Sequence, residues 1–194
     1  LKAKVIFLIG TNTTWNHPVF GSLIKQAVKH HGAKLVVCDP RRIDLVDFAD
    51  IWLQQRNGSD VALLSGLQHI ILREGWEDRE FCAAHVEGLE RLREAVTPFT
   101  PEAVEARAGV PADQLVAAAR LFAHESRRGG TSTGTGVNMA SFPNLAEHLY
   151  QAIGVICGRY LREGEALPNP GVLSRKQPPR AEAVSPTRAF EQAP

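Results

Sequence analysis

A strand, a helix and a second strand follow one another at the start of the chain, and this order constrains the fold most. Val5–Ile9 is a continuous apolar run of β-forming residues, typical of a parallel strand covered on both faces. Residues 10–18 predict a polar loop, and the apolar period becomes helical from Val19, with Gly32 placed to end the helix. Lys34–Cys38 predicts the second strand. This βαβ unit is right-handed by strong default and predicts a parallel sheet.

The middle of the chain continues the alternation with one more strand and several helices. Residues 51–54 predict a third, short strand, and residues 61–75 have helical periodicity. We expect two or three more helices between residues 78 and 125, where Pro101 and Pro111 are placed to occupy first helical positions. Strands separated by helices indicate an α/β fold: a three-layer, mostly parallel, doubly wound sheet with helices on both faces.

The last part of the chain changes character. Residues 129–136 predict part strand and part loop, and residues 143–161 predict a last helix. Its inward-facing residues are expected to be Leu145, Leu149, Ile153 and Ile156. Residues 162–194 are rich in proline and lack periodicity, which predicts an extended arm or linker after a domain of residues 1–161. The abrupt start of the first strand favours a piece of a longer protein.

Composition excludes several classes of function. Apolar residues make up 44% and the formal charge is +1, so no strong field recruits nucleic acid or an anionic membrane. No apolar run approaches the roughly 20 residues of a transmembrane helix. The three cysteines are scattered without a Cys-x-x-Cys pair, so no disulfide framework, zinc site or iron–sulfur site is expected. Reduced thiols are compatible with the cytoplasm, although the periplasm stays open if a longer parent carries an export signal.

Three polar clusters follow the three predicted strands, where ligands bind in doubly wound sheets. The candidate site residues in these clusters are Gly10, Thr11 and Asn12; Asp39, Pro40 and Arg41; and Gly58, Ser59 and Asp60. Glycine permits a tight turn with close backbone approach, which suits a phosphate. The carboxylate of Asp39 can accept two donors from a sugar or base, and Arg41 can reach a phosphate. Asp60 is suited to accept from the ring N–H and amino groups of guanine.

Each cluster also has a purely structural interpretation. The residues after the first strand can form an ordinary strand-to-helix turn, and Asp39 before a proline is a common turn starter. Arg41 can be a surface charge, and Ser59 or Asp60 is expected to cap the next helix. The nicotinamide fingerprint is absent, because Asn12 and Trp15 stand where it needs glycines. The histidines lie apart, so we predict no metal site, and no catalytic residue can be named.

The ordered spacing of these motifs resembles the dimethyl sulfoxide reductase family of molybdenum and tungsten enzymes, particularly formate dehydrogenase catalytic subunits. The motifs that carry the resemblance, which covers roughly residues 4–161, are Gly10-x-Asn12, His17-Pro18, Gly32-Ala33-Lys34, Asp39-Pro40-Arg41, Ala49-Asp50 and Gly58-Ser59-Asp60-Val61-Ala62-Leu63. Phe99-Thr100-Pro101-Glu102 and Gly109-Val110-Pro111-Ala112 continue it in register. None of these motifs is specific alone.

The resemblance implies a bis(molybdopterin guanine dinucleotide) cofactor with molybdenum or tungsten, of which this domain holds the nucleotide end. It implies that His17 and the loop before it lie at the phosphates, and that Thr135, Gly136 and Met139 face the pterin. It also implies that a 4Fe-4S cluster, the metal ligand and the small-molecule substrate belong to the remaining domains of a larger parent enzyme. The chain alone is then not catalytic.

Two other classes of function stay open at this point. One is a domain of a different nucleotide- or diphosphate-cofactor enzyme with the same α/β fold, such as a thiamine-diphosphate enzyme. The other is a non-catalytic interaction module whose strand-end clusters are only turns and caps. Fold alone does not separate these, because function depends on the site.

Overall fold

Four parallel strands form the central sheet of the computed structural model, which describes residues 3–126, 128–160 and 164. The strands are β1 (Val5–Ile9), β2 (Lys34–Cys38), β3 (Ile51–Leu53) and β4 (Gly129–Thr133), in the spatial order β3-β2-β1-β4. All three pairings are parallel. β2 and β3 therefore extend the sheet on one side of β1, and β4 pairs with β1 on the other side, as a doubly wound fold requires.

The register of the sheet sets the carboxyl ends of the strands level with one another. Ile9 at the end of β1 pairs with Cys38 at the end of β2 and with Thr133 at the end of β4. Cys38 in turn pairs with Leu53 at the end of β3. The loops that leave all four strands consequently emerge at one edge of the sheet.

The helices account for most of the remaining described chain. They are α1 (Thr13–Asn16), α2 (Pro18–His31), α3 (Asp60–Arg73), α4 (Arg79–His85), α5 (Leu89–Val96), α6 (Pro101–Ala108), α7 (Ala112–Ala123), α8 (Thr135–Asn138) and α9 (Pro143–Ile156), with a 3-10 helix at Asp44–Phe48. Gly32 ends α2 in the left-handed conformation, as predicted, with a φ of 65°.

Each face of the sheet buries its own hydrophobic cluster, because successive strand side chains point to opposite faces. Ile6, Leu8, Leu35 and Val37 pack with Ile24 of α2 on one face. The opposite cluster contains the alternate strand residues together with α3, α7 and α9. Helices thus cover both faces, which confirms the predicted three-layer α/β architecture.

Three expectations about secondary structure were wrong. The predicted polar loop at residues 10–18 contains the short helix α1, which packs closely on α2: a Cβ added to Gly21 would lie 2.9 Å from the Cα of Thr14. Residues 78–125 form four helices instead of two or three, because Gly88 adopts a φ of 79° and separates α4 from α5. Pro111 is the N-cap residue of α7 and precedes the first helical position.

The last helix also differs from its prediction. It ends at Ile156, before residue 161, and Gly158 follows with a positive φ of 59°. Leu149, Ile153 and Ile156 are buried as predicted, whereas Leu145 is 47% exposed. The inward stripe begins at Ala146, one residue and about 100° around the helix from Leu145.

The predicted proline-rich arm, residues 162–194, lies outside the described residues apart from Gly164. The boundary after residue 161 therefore stays a prediction.

Candidate cofactor cleft

A cleft of about 490 Å³ opens at the carboxyl edge of the sheet. Residues from the ends of all four strands line it, as expected for a doubly wound sheet. The predicted site residues among them are Gly10, Asn12, Asp39, Pro40, Arg41, Gly58, Asp60, Thr135, Gly136 and Met139. The structure thus brings together, in one cavity, clusters that the sequence placed on separate strands.

Three predicted site residues, Thr11, His17 and Ser59, lie next to the cleft without lining it. Thr11 is buried beneath it, where a Cβ added to Gly134 would come within 2.8 Å of the Thr11 Cβ. His17 is exposed and precedes α2 as its N-cap residue. The Ser59 hydroxyl donates to the Arg56 carbonyl at 2.6 Å, so it is already engaged within the chain.

Three lining residues were missed by the sequence interpretation, namely Gln55, Arg56 and Ala140. Trp15 and Asn16 also line the cleft, in the loop before His17 that the resemblance places at the phosphates, and they form part of the short helix α1. Asn57, which precedes Gly58, lines it as well. Gln55 directly follows the strand predicted at residues 51–54, so the same strand-end rule, applied strictly, would have included it.

The floor of the cleft is a backbone-to-backbone contact between the loops after β1 and β4. The Gly136 N–H donates to the Gly10 carbonyl at 3.0 Å. A Cβ added to Gly136 would lie 2.7 Å from the Gly10 Cα, and one added to Gly10 would lie 2.8 Å from the Val137 nitrogen. Gly10 also has a φ of 59°, a conformation that side chains disfavour. Glycine at both positions therefore allows the two loops to touch.

Asp39 and Arg41 line the β2 side of the cleft. Asp39 is 4% exposed, and its Oδ1 accepts from the Arg41 backbone N–H at 2.8 Å. Trp52 Nε1 donates to the Asp39 carbonyl at 2.9 Å and fixes the turn from the neighbouring strand. The Arg41 guanidinium lies 3.9 Å from Asp39, and its side chain is 76% exposed. At this distance and with the Arg41 side chain exposed, the pair is weak, and the guanidinium can turn toward an anionic ligand.

Asp60 lies on the β3 side of the cleft, at the first position of α3. The side chain of the N-cap residue Ser59 makes no capping hydrogen bond, so the prediction of a Ser59 cap is wrong, whereas the Asp60 carboxylate accepts from its own backbone N–H at the start of the helix. Asp60 is 6% exposed, and its Oδ1 accepts from Gln55 Nε2 at 3.4 Å. Burial raises the pKa of the Asp60 carboxyl above its usual value, with a smaller contribution from the negative charge of Asp39.

The cleft carries acceptor atoms that the chain itself leaves without donors. Among the described residues, the buried Asn12 Oδ1 and Gln55 Oε1 have no hydrogen-bond partner. With the carboxylates of Asp39 and Asp60, they offer oxygen acceptors to a ligand that presents N–H and O–H groups. The described residues contain no cluster of His, Cys, Asp and Glu suited to a metal ion. Fold and cleft together define an α/β domain with a polar cleft at the carboxyl edge of its sheet, suited to an organic ligand that presents N–H and O–H groups.

The comparison with known families gives this class a more specific identity. The family described as molybdopterin oxidoreductase matches residues 1–177. The chain belongs to this family, which confirms the predicted relationship to the dimethyl sulfoxide reductase enzymes. A molybdopterin cofactor with molybdenum or tungsten is the ligand that the family implies, and the orphaned acceptors of the cleft fit such a group.

Relatives with different names match the chain. It is 38% identical over 122 residues to formate dehydrogenase H of Escherichia coli, with 63% of this chain and 17% of the relative covered. It is 33% identical over 170 residues to a nitrate reductase of Symbiobacterium thermophilum, covering 80% of this chain and 22% of the relative. The acetylene hydratase structure from Pelobacter acetylenicus superimposes with a TM-score of 0.78 and 31% identity, over 85% of this chain and 23% of that one.

The chain thus spans about a fifth of the length of these proteins, within a family of oxidoreductases that includes formate dehydrogenases. The relatives' names point to different substrates, so the family does not select one. No described helix has the length and apolar character needed to cross a bilayer.

Proposed function

We propose that this domain binds the guanine nucleotide end of a molybdopterin guanine dinucleotide cofactor in a formate dehydrogenase-like oxidoreductase. The observation that carries the proposal is the convergence of two buried carboxylates, Asp39 and Asp60, with the glycine loops of β1 and β4 in one cleft. A dinucleotide needs backbone that it can approach closely for its phosphates and acceptors for its sugar and base.

The layout of the cleft supports a part-by-part assignment. Gly10 and Asn12 would lie along the phosphates, where the absence of a Cβ allows close approach. Arg41, exposed and weakly paired, would supply the cation. Asp39 would accept from the ribose hydroxyls or the base. Thr135, Gly136 and Met139, which follow β4, would face the pterin.

Thr11, His17 and Ser59 remain predicted contacts at the edge of this site. Since none of the three lines the cleft, they would reach the cofactor only through rearranged side chains.

Asp60 is suited to distinguish guanine from adenine. A carboxylate accepts hydrogen bonds and donates none while ionised, so it pairs well with the ring N–H and amino group of guanine. Adenine presents a ring nitrogen acceptor at the equivalent position, which would face the negative oxygen. In a buried site an unmatched acceptor costs about 1–3 kcal/mol, so the cleft should distinguish the two purines.

The domain's contribution to the reaction is position and electrostatics. When bound, the cofactor supplies the two-electron chemistry at its metal, while the residues described here hold its nucleotide end. We assign no catalytic residue and no metal ligand to this chain. The small-molecule substrate and a 4Fe-4S cluster would belong to the remaining domains of the parent enzyme.

Exposed apolar side chains, two of which line the cleft, support those remaining domains as partners. Trp15, Met139 and Phe142 are 75%, 80% and 74% exposed, and the first two line the cleft. Phe142 also adopts a φ of 56°, an unfavourable conformation for an aromatic residue. Apolar patches of this kind mark interaction sites, so we propose that the rest of the parent enzyme covers them.

The buried free thiols support the cytoplasm as the compartment.

Calorimetric titration with GDP and ADP tests the proposed function. We expect GDP to bind at least about fivefold more tightly than ADP, since one mismatched buried hydrogen bond costs about 1 kcal/mol or more. Both affinities should be weak, because the pterin half of the ligand is missing. Equal affinities would contradict guanine recognition, and a preference for ADP would favour a different nucleotide-cofactor enzyme.

A further inference from the structure

Gln55 is a buried polar residue in the cleft to which neither the motifs nor the family resemblance assigns a role. It follows β3, lines the cleft and is only 3% exposed. Its Nε2 donates to Asp60 Oδ1 at 3.4 Å, and its Oε1 is buried without a partner among the described residues. The side chain therefore has one end engaged and the other end free.

Chemistry fixes which end of the amide is free. An ionised carboxylate only accepts, so the amide nitrogen of Gln55 must face Asp60 and the oxygen must point away from it. A buried oxygen left without a donor is destabilising. A ligand donor beside Asp60 would remove this penalty. The unpaired oxygen therefore indicates that the ligand carries a second N–H group, close to the one that Asp60 accepts.

We propose that Gln55 is a specificity-determining residue that accepts a hydrogen bond from the exocyclic 2-amino group of the guanine base. This inference rests on the proposed function, since it places guanine at Asp60. The 2-amino group carries two N–H bonds and lies next to the ring N–H. Asp60 accepts the ring N–H and one amino N–H, and Gln55 Oε1 accepts the other amino N–H.

Hypoxanthine tests recognition of the 2-amino group. It keeps the ring N–H and the 6-oxygen of guanine and lacks only the 2-amino group. The site should bind the inosine nucleotide less well, because Gln55 Oε1 is again left unpaired and Asp60 loses one of its two bonds. Since substitution of Gln55 leaves the Asp60 bond in place, the change in the GDP preference on that substitution measures the contribution of Gln55. A site that reads only the ring N–H binds both nucleotides alike.

The test compares GDP with IDP on the full chain by calorimetric titration. We expect the wild type to prefer GDP about tenfold, and Gln55→Leu to reduce this preference to about threefold, the part that the Asp60 bond to the amino group retains. Gln54→Leu is the matched control, since Gln54 is the adjacent, exposed glutamine and donates to the Pro40 carbonyl at 3.1 Å. It should keep the wild-type ratio. Gln55→Met, which preserves the side-chain length, serves as the second variant, and a melting curve confirms that each variant is folded.

The possible failures can be told apart. If the wild type binds GDP and IDP equally while still preferring GDP to ADP, the inference about Gln55 is wrong and the proposed function stands. If Gln55→Leu weakens GDP and IDP by the same factor, Gln55 only positions Asp60, which also overturns the inference. If GDP binds no more tightly than ADP, both the proposed guanine site and the proposed role of Gln55 are wrong.

Discussion

Asp60→Asn is expected to abolish the preference for GDP over ADP while raising the stability of the ligand-free domain. The amide presents a donor where guanine also presents donors, so GDP affinity should fall at least about tenfold, whereas ADP affinity should change little. Stability should rise because burial raises the pKa of the Asp60 carboxyl, which means that folding disfavours its charge. Titration calorimetry measures the first effect and urea unfolding the second.

The stability difference between Asp60→Asn and the wild type should depend on pH. Because its pKa is raised from 3.8 in the folded state, Asp60 contributes stability at acid pH. That contribution is lost as the pH rises from near 3.8 through the raised pKa. The stability advantage of Asp60→Asn should therefore be small at pH 3.5 and larger at pH 7. Asp47→Asn is the control, since the Asp47 side chain is 61% exposed and pairs only at the surface. A variant less stable than the wild type at pH 7 would contradict the argument.

Gly136→Ala is expected to destabilise the domain by about 3 kcal/mol, which corresponds to a fall in Tm of about 6–12 °C. The new Cβ would lie 2.7 Å from the Gly10 Cα and 2.8 Å from the Gly10 oxygen. Both atoms belong to the backbone, so relief requires the loops after β1 and β4 to separate. Such a shift breaks the hydrogen bond between Gly136 and Gly10 and widens the floor of the cleft. Differential scanning calorimetry gives the Tm.

Gly154→Ala provides the matched control for this substitution. Gly154 lies within α9, and a Cβ there meets nothing within 4 Å. Alanine is favoured over glycine in a helix by about 1 kcal/mol, so this variant should be unchanged or more stable. If Gly136→Ala proved as stable as Gly154→Ala, the close contact with Gly10 would not constrain the fold.

The strands and their polar ends could be predicted because each depends on a short stretch of chain. The apolar run of Val5–Ile9 indicates a strand buried on both faces, and parallel strands end level with one another when their registers match. Asp39 and Asp60 therefore reached a common cleft, as the strand order implies. The later helices were less predictable, since a turn such as that at Gly88 interrupts a region of otherwise continuous helical character.

What could not be predicted depends on contacts between distant parts of the chain. An acidic residue such as Asp60 is expected to accept hydrogen bonds at a helix start. The additional hydrogen bond from Gln55 to Asp60 could not be predicted, because it depends on how β3 meets α3. Likewise, Leu145 matched the helical period of α9, yet the sheet and α3 leave its side uncovered. The contacts of Thr11, His17 and Ser59 with a cofactor stay predictions.

The contact between Gly10 and Gly136 determines when the cleft can form during protein synthesis. One of the two contacting segments is made early in the chain and the other after β4, which spans Gly129–Thr133. Contacts between residues so far apart in sequence form only after the intervening chain has been made. A ribosome-bound chain that stops before β4 contains Asp39 and Asp60 but lacks the floor of the cleft. Under the proposed function, cofactor binding at this cleft therefore requires translation beyond Gly136.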